Sequence, residues 1–422
     1  MEPGRSAICA SGYRCRDIID SVITFRLLVI FTFCWPSFAS NTPLDALRLS
    51  LIAMRGKPPD YGGPRGATPQ LTVAKHQLRD WVESRLPALP QSGDEGEFER
   101  KLNSELRGAR LFCGEGAMDQ QPCPAWTLLG YLDDLKFRRS GGFLILQTGV
   151  GIECGFDQSA YIYGWSEEGW RRVWQTEQNA YTEKAYKPQT IHSVQISPYS
   201  KGNDYVVLTL GSEPWCSSVL HDVYYRAFRL GPDPEARPLV EGAERAWVGD
   251  YPPIRGSVTA NEVLVEFTVI GGLGSDNYQA VRHYIIDHDK VERIDPLALR
   301  PRDFVSEWLN HDWKESAFWS ESANRRLMLE WHRKLHSDRI PGEFIYPTMH
   351  CPTKPDLWQV GVDFSDPPTP IGTKPKGTYF LVRWRPPYQF TMVQVGDRPS
   401  SVCTEEDRKA DDEYRTLFPV QN

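Results

Sequence analysis

Three apolar runs of β character recur along the chain and constrain its fold more than any other feature. They are FLILQTG (143–149), DYVVLTLG (204–211) and NEVLVEFTVIGG (261–272), and each closes on glycine. Gly149, Gly211 and Gly271 stand 62 and 60 residues apart. A shorter β-like piece precedes each run: YLDDLKF, IHSVQIS and RGSVTA. A loop follows each, and then a hairpin with a polar turn: YIYGWSEEGWRRVW, YYRAFRLGPDPEARPLV and HYIIDHDKVERI. Apolar side chains at a spacing of two make one strand face, so each unit supplies about four strands. A repeat of about 60 residues lies slightly above the usual propeller blade, and three units are too few to close a ring. The expected fold class is therefore α+β, mainly β, with propeller-like or meander repeats.

The flanks change period. In TPQLTVAKHQLRDWVESRL the residues Leu71, Ala74, Leu78, Val82 and Leu86 recur at three and four, one face of a helix. GEFERKLNSELRGARL does the same with Phe98, Leu102, Leu106 and Ala109, and LDALRLSLIAM opens the segment. After residue 300, Phe304, Val305, Trp308 and Leu309 begin a long helix that Leu327, Trp331 and Leu335 continue. Three strands follow, DLWQVGVDF, TYFLVRWRP and YQFTMVQVG, which predict a three-stranded antiparallel sheet. The domain plan is a signal peptide over 1–39, a helical segment over 40–125, three β-repeat units over 126–300, and a helix with antiparallel strands over 301–422.

The first forty residues read as an export signal. Arg5, Arg14 and Arg16 precede the apolar LLVIFTFCW, and Ser37 and Ala39 suit cleavage after Ala39. A membrane anchor needs about 20 apolar residues, and Asp20 and Arg26 interrupt this run. Nine cysteines fit the same compartment. Cys9, Cys15 and Cys34 leave with the signal, and an even six remain, which predicts disulfides. Cys154 and Cys216 each follow a repeat glycine by five residues, so neighbouring units predict a Cys154–Cys216 bond. Cys351–Cys403 and Cys113–Cys123 follow by elimination. The localisation expected is extracytoplasmic, secreted or periplasmic, with no membrane span after signal removal.

Chemistry is less legible. The nucleophile elbow, the HExxH zinc motif, the phosphate loop and the calcium loop are missing from the sequence, so no cofactor and no metal is expected. His332 and His336 stand four apart, but Arg333 and Lys334 lie between them, which favours a solvated helix face. Asp287, His288 and Asp289 occupy a hairpin turn. A net charge of −7 with no basic run argues against nucleic acid. Loops held on a rigid scaffold are where function collects, and the repeated loops carry Glu153, Asp157, Trp215 and Asp276. Those residues predict a ligand or partner surface for a protein, glycan or envelope component on a non-enzymatic module. The alternative is an extracytoplasmic, glycosidase-like hydrolase that uses the loop carboxylates.

Overall fold

The computed structural model describes residues 42–55, 69–113, 129–152, 155–177, 189–198, 205–214, 220–230, 237–247, 253–269, 277–288, 290–294, 297–338, 342–364, 377–385, 388–412 and 417–418. The predicted signal lies outside them. Three helices come first: α1 (Pro43–Arg55), α2 (Pro69–Arg85) and α3 (Glu95–Gly108). The N-cap of α3 is Asp94, whose carboxylate accepts the N–H groups of Gly96 and Glu97.

Antiparallel strands follow in up-and-down order. The first run is β1 (Lys136–Ser140), β2 (Phe143–Ile152), β3 (Gly155–Ser166) and β4 (Gly169–Thr176), a four-stranded sheet in sequence order. The second is β5 (Thr190–Ile196), β6 (Val206–Ser212), β7 (Leu220–Arg229) and β8 (Val240–Trp247). The third is β9 (Ile254–Val258), β10 (Glu262–Val269), β11 (Tyr278–Asp287) and β12 (Lys290–Ile294). The second and third runs join in one eight-stranded sheet, where β10 meets β8 at Val269 and Ala246. Among the described residues no sheet closes into a barrel. Strand β2 does not end at Gly149 but runs on to Ile152. A Cβ on Gly149 would lie 2.9 Å from the Asp133 Cβ, so the glycine admits a neighbouring chain rather than a turn.

The period of two decides which layer each strand face meets. On β2, Leu144 and Leu146 join α1–α3 in one core, while Ile145 faces the second run. On β3, Tyr161 and Tyr163 face the helices, and Ala160 and Ile162 face away. Val206, Leu208 and Leu210 of β6 meet the third run, and Val207 meets the first. Middle strands buried on both faces explain why these segments read as nearly continuous apolar runs. The first strand of each later run crosses the run before it. Ile191 N–H donates to Gln158 Oε1 at 2.6 Å, and Gln195 Nε2 donates to the Gly256 carbonyl at 2.9 Å.

The C-terminal part departs from expectation twice. The single long helix is three pieces, α4 (Pro301–Asn310), α5 (Trp313–Ser316) and α6 (Arg325–Asp338). Asp312 caps α5 by accepting the Glu315 N–H. Beyond α5 the backbone turns to strand pairing, with Met392 N–H donating to the Trp319 carbonyl at 2.7 Å. The sheet has five strands rather than three, in the order β16-β15-β14-β13-β17. The expected strands are β14 (Leu357–Asp363), β15 (Gly377–Arg385) and β16 (Gln389–Gly396). The additional ones are β13 (Glu343–His350) and the two-residue β17 (Glu405–Glu406). Pro347 lies inside β13, where the register with β14 shifts between Ile345 and Met349, and a proline without an N–H masks a strand in sequence. Helix α4 is buried from Pro301 to Leu309, among β11, α6 and the C-terminal sheet.

Candidate functional site

Of the four residues that the sequence offers as a ligand surface, Asp157 lies among the described residues. Glu153, Trp215 and Asp276 lie outside them, as do Cys123, Cys154 and Cys216. Asp157 sits on β3 and is 1% exposed. It turns into the seam between the first run and α2, where its Oδ2 lies 2.5 Å from the equally buried Lys75 Nζ. Gln189 N–H donates to its other oxygen at 3.4 Å. Burial pushes the Asp157 carboxyl up, with Lys75 and Gln189 pulling the other way.

The rest of the seam follows from helix spacing. Lys75, Arg79 and Glu83 stand four apart on α2 and therefore face one side. Arg79 Nη1 reaches Glu177 Oε2 at 3.4 Å, and His76 Nε2 lies 2.7 Å from Glu177 Oε1. Tyr161 donates its hydroxyl to the same carboxylate. Burial and Glu177 both raise the Tyr161 phenol, which stays protonated as the donor. Glu83 accepts Arg172 Nη1 at 2.9 Å and the Tyr163 hydroxyl at 3.3 Å.

A second polar seam holds α4 against the third run. Arg282 of β11 donates through Nε to Glu244 at 2.8 Å and through Nη1 to Glu307 at 2.9 Å. Glu307 also takes His311 Nε2 at 2.7 Å, while His311 Nδ1 faces Glu315. Burial alone would raise Glu307, but Arg282 and His311 outweigh it and hold the carboxyl at about 2. His332 departs from the solvated helix face expected of it. It is buried edge-on to Trp308, stacked 4.1 Å from His336, and donates Nε2–H to the His311 carbonyl at 3.1 Å. Burial drives its pKa down to about 4.

A general acid or base must reach the proton it moves. Asp157, closed off by Lys75, presents no oxygen to solvent. His76 is 40% exposed and reaches solvent from the first seam, with Glu177 orienting its ring. A histidine and a carboxylate make two parts of a nucleophile-activating triad. Among the described residues no hydroxyl or thiol bonds to His76, and no group of three or more His, Cys, Asp or Glu is placed to hold a metal ion. No described helix is long and apolar enough to cross a membrane.

Lys75, Glu177, Arg282 and Glu307 were not singled out from sequence. One signal was present: Lys75 follows Ala74 within the apolar stripe of α2, and a cation there demands an acid on the facing element. Cys351 and Cys403 are bonded as expected, with an S–S distance of 1.98 Å. Cys113 is disulfide-bonded as well, and Cys123, expected to pair with it, lies outside the described residues. Comparison of the chain with known protein families and with curated proteins finds no match.

Proposed function

We propose that this chain works outside the cytoplasm as a non-catalytic binding or scaffold module. In this reading the three strand runs are copies of one propeller-like unit, and their loops recognise a protein, glycan or envelope component. The observation that carries it is the closure of Asp157. A hydrolase reading needs a loop carboxyl in contact with substrate, and this one is bound to Lys75 beneath α2. A cationic partner and full burial are what a structural carboxylate has. The bonded Cys351–Cys403 pair is in keeping with an oxidising compartment.

Non-reducing peptide mapping of the protein recovered from the medium or periplasm tests this reading. The expected result is a mature start at Ser40 and a Cys154–Cys216 bond. A retained leader with free thiols at both positions would overturn export and the register of the units together. Turnover of a polysaccharide that falls by roughly 10²–10⁴ in Glu153→Gln or Asp276→Asn, with the melting temperature unchanged, would reinstate the hydrolase, that loss being the usual contribution of an acid–base group.

A further inference from the structure

Helix α6 docks on α4 and β16 through a face that includes two imidazoles. Met328, His332 and Leu335 are buried there, and His336 follows His332 by one turn on the same side. The two histidine rings lie nearly parallel, 23° apart, with centroids at 4.1 Å. Trp308 of α4 meets the His332 ring edge-on at 4.9 Å, and Trp313 of α5 leans against it at 5.5 Å. His332 Nε2–H donates to the His311 carbonyl at 3.1 Å, just past the end of α4. The Nε2 of His336 is buried with no hydrogen-bond partner among the described residues. The segment before α6 is tied separately to β16: Met392 N–H donates to the Trp319 carbonyl at 2.7 Å, and Asn324 Nδ2 to the Val393 carbonyl at 2.9 Å.

A stacked pair among indoles is stable only while its rings are uncharged, because two imidazolium cations at this distance repel and burial penalises each. Asp312, the cap of α5, favours a charged His332, while burial and His336 oppose it and hold the ring down at about 4. Strand β16 carries no titratable residue, and Arg333 and Lys334 on α6 itself are exposed. The remaining charges of the junction are committed to one another: Glu307 to Arg282 and His311, and His311 also to Glu315. Acid therefore acts oppositely on the two sides of the junction. The His311 cation binds two carboxylates and secures α4 to α5, whereas His332 gains a proton only by leaving its site. We infer that the stacked His332–His336 pair is an acid-operated latch, whose protonation frees α6 from α4 and β16 while α4 and α5 stay docked. Release begins after Asn324, which remains bonded to β16, and bares the Trp308 indole with Met328 and Leu335. The latch belongs to the fold and does not rest on the module reading.

The test is hydrogen–deuterium exchange of the full chain at several pH values, with rates corrected for the intrinsic pH dependence of amide exchange. Protection of the α6 amides should fall by roughly 20-fold between pH 7 and pH 5, the effect of one proton taken up between an open value of about 6.5 and a docked value of about 4. Amides of α4 and of strands β2 and β10 should keep their protection over the same interval. His332→Gln removes the titrating ring, so α6 protection in that variant should no longer depend on pH. His336→Gln, at a half-buried position, is the second variant and serves where His332→Gln does not fold. It leaves one ring without its stacked neighbour and should shrink the fall. Protection of α6 in the parent that is unchanged by acid would overturn the proposal. So would a fall shared equally by α4 and the strands, which reads global unfolding, or a fall of full size in either histidine variant.

Discussion

Lys75 and Asp157 face each other within a core otherwise built from aliphatic and aromatic side chains. Two opposite charges out of water are tolerable together and costly apart, because the survivor of a single deletion remains buried without its counterion. Lys75→Met should therefore destabilise the protein by about 3–5 kcal/mol. The double change Lys75→Met/Asp157→Leu should recover most of that loss. Urea midpoints for the two single variants and the double read the coupling. A Lys75→Met variant as stable as the parent would show that the pair does not form. Sequence exposed half of this feature, a lysine in an apolar stripe. It did not name the acid, since choosing Asp157 requires knowing that β3 lies under α2.

The junction of α4 with α5 shows how a short polar cluster governs a larger element. His311 presents both ring nitrogens to carboxylates, Glu307 and Glu315, so both must carry protons and the ring is cationic. Burial opposes that charge, but the two carboxylates prevail and raise its pKa above the ordinary 6.5. A raised histidine contributes stability that is complete below about 6.5 and is lost as pH climbs through the folded value. Glu307, held near 2 against an ordinary 4.5, contributes stability that is present above 4.5 and lost as pH falls towards 2. The other groups facing this junction are Arg282 from the third run, Glu244 from the second, Asp312 beside α5, and His332 and His336 from α6. His332, near 4, stays neutral in the fold while its unfolded counterpart protonates below about 6.5, so its contribution is present above 6.5 and is lost as pH falls towards 4. The Glu307 and His311 contributions are thus both complete between pH 4.5 and 6.5, where His332 and the likewise depressed His192 oppose them, so the cluster is read as the difference between the parent and a His311 variant. His311→Asn should flatten the alkaline limb, as differential scanning calorimetry across pH would read. A stability difference between the parent and His311→Asn that does not shrink between pH 6.5 and 8 would contradict the assignment. Sequence patterning made one helix of α4, α5 and α6 because their apolar positions continue in phase. Asp312 as a cap and the demand of β16 for the backbone of Trp319 break it, and the second of these is a long-range pairing.

At the scale of the molecule, Thr42–Asn422 cluster as one compact unit. Helices, first run, second run, third run and C-terminal sheet share faces in succession. Cys351 and Cys403, 52 residues apart, tie the end of β13 to the chain beyond β16. Closing such a loop constrains the unfolded chain, so Cys351→Ser/Cys403→Ser should cost about 2–4 kcal/mol. Melting followed by circular dichroism and by tryptophan fluorescence reads it, and the two transitions should shift downward together. A fluorescence shift with an unmoved β signal would show that the C-terminal sheet unfolds by itself.

By itself the sequence determined the local layer of this protein. Strand and helix periods, the hairpins and the Cys351–Cys403 pair were legible because side-chain spacing along a few residues dictates which face is apolar. The tertiary structure alone decided the rest: that Asp157 is covered, that His332 is buried, and that Pro347 belongs to a strand. Each depends on which distant element lies opposite, and neither periodicity nor propensity carries that information across a hundred residues of chain.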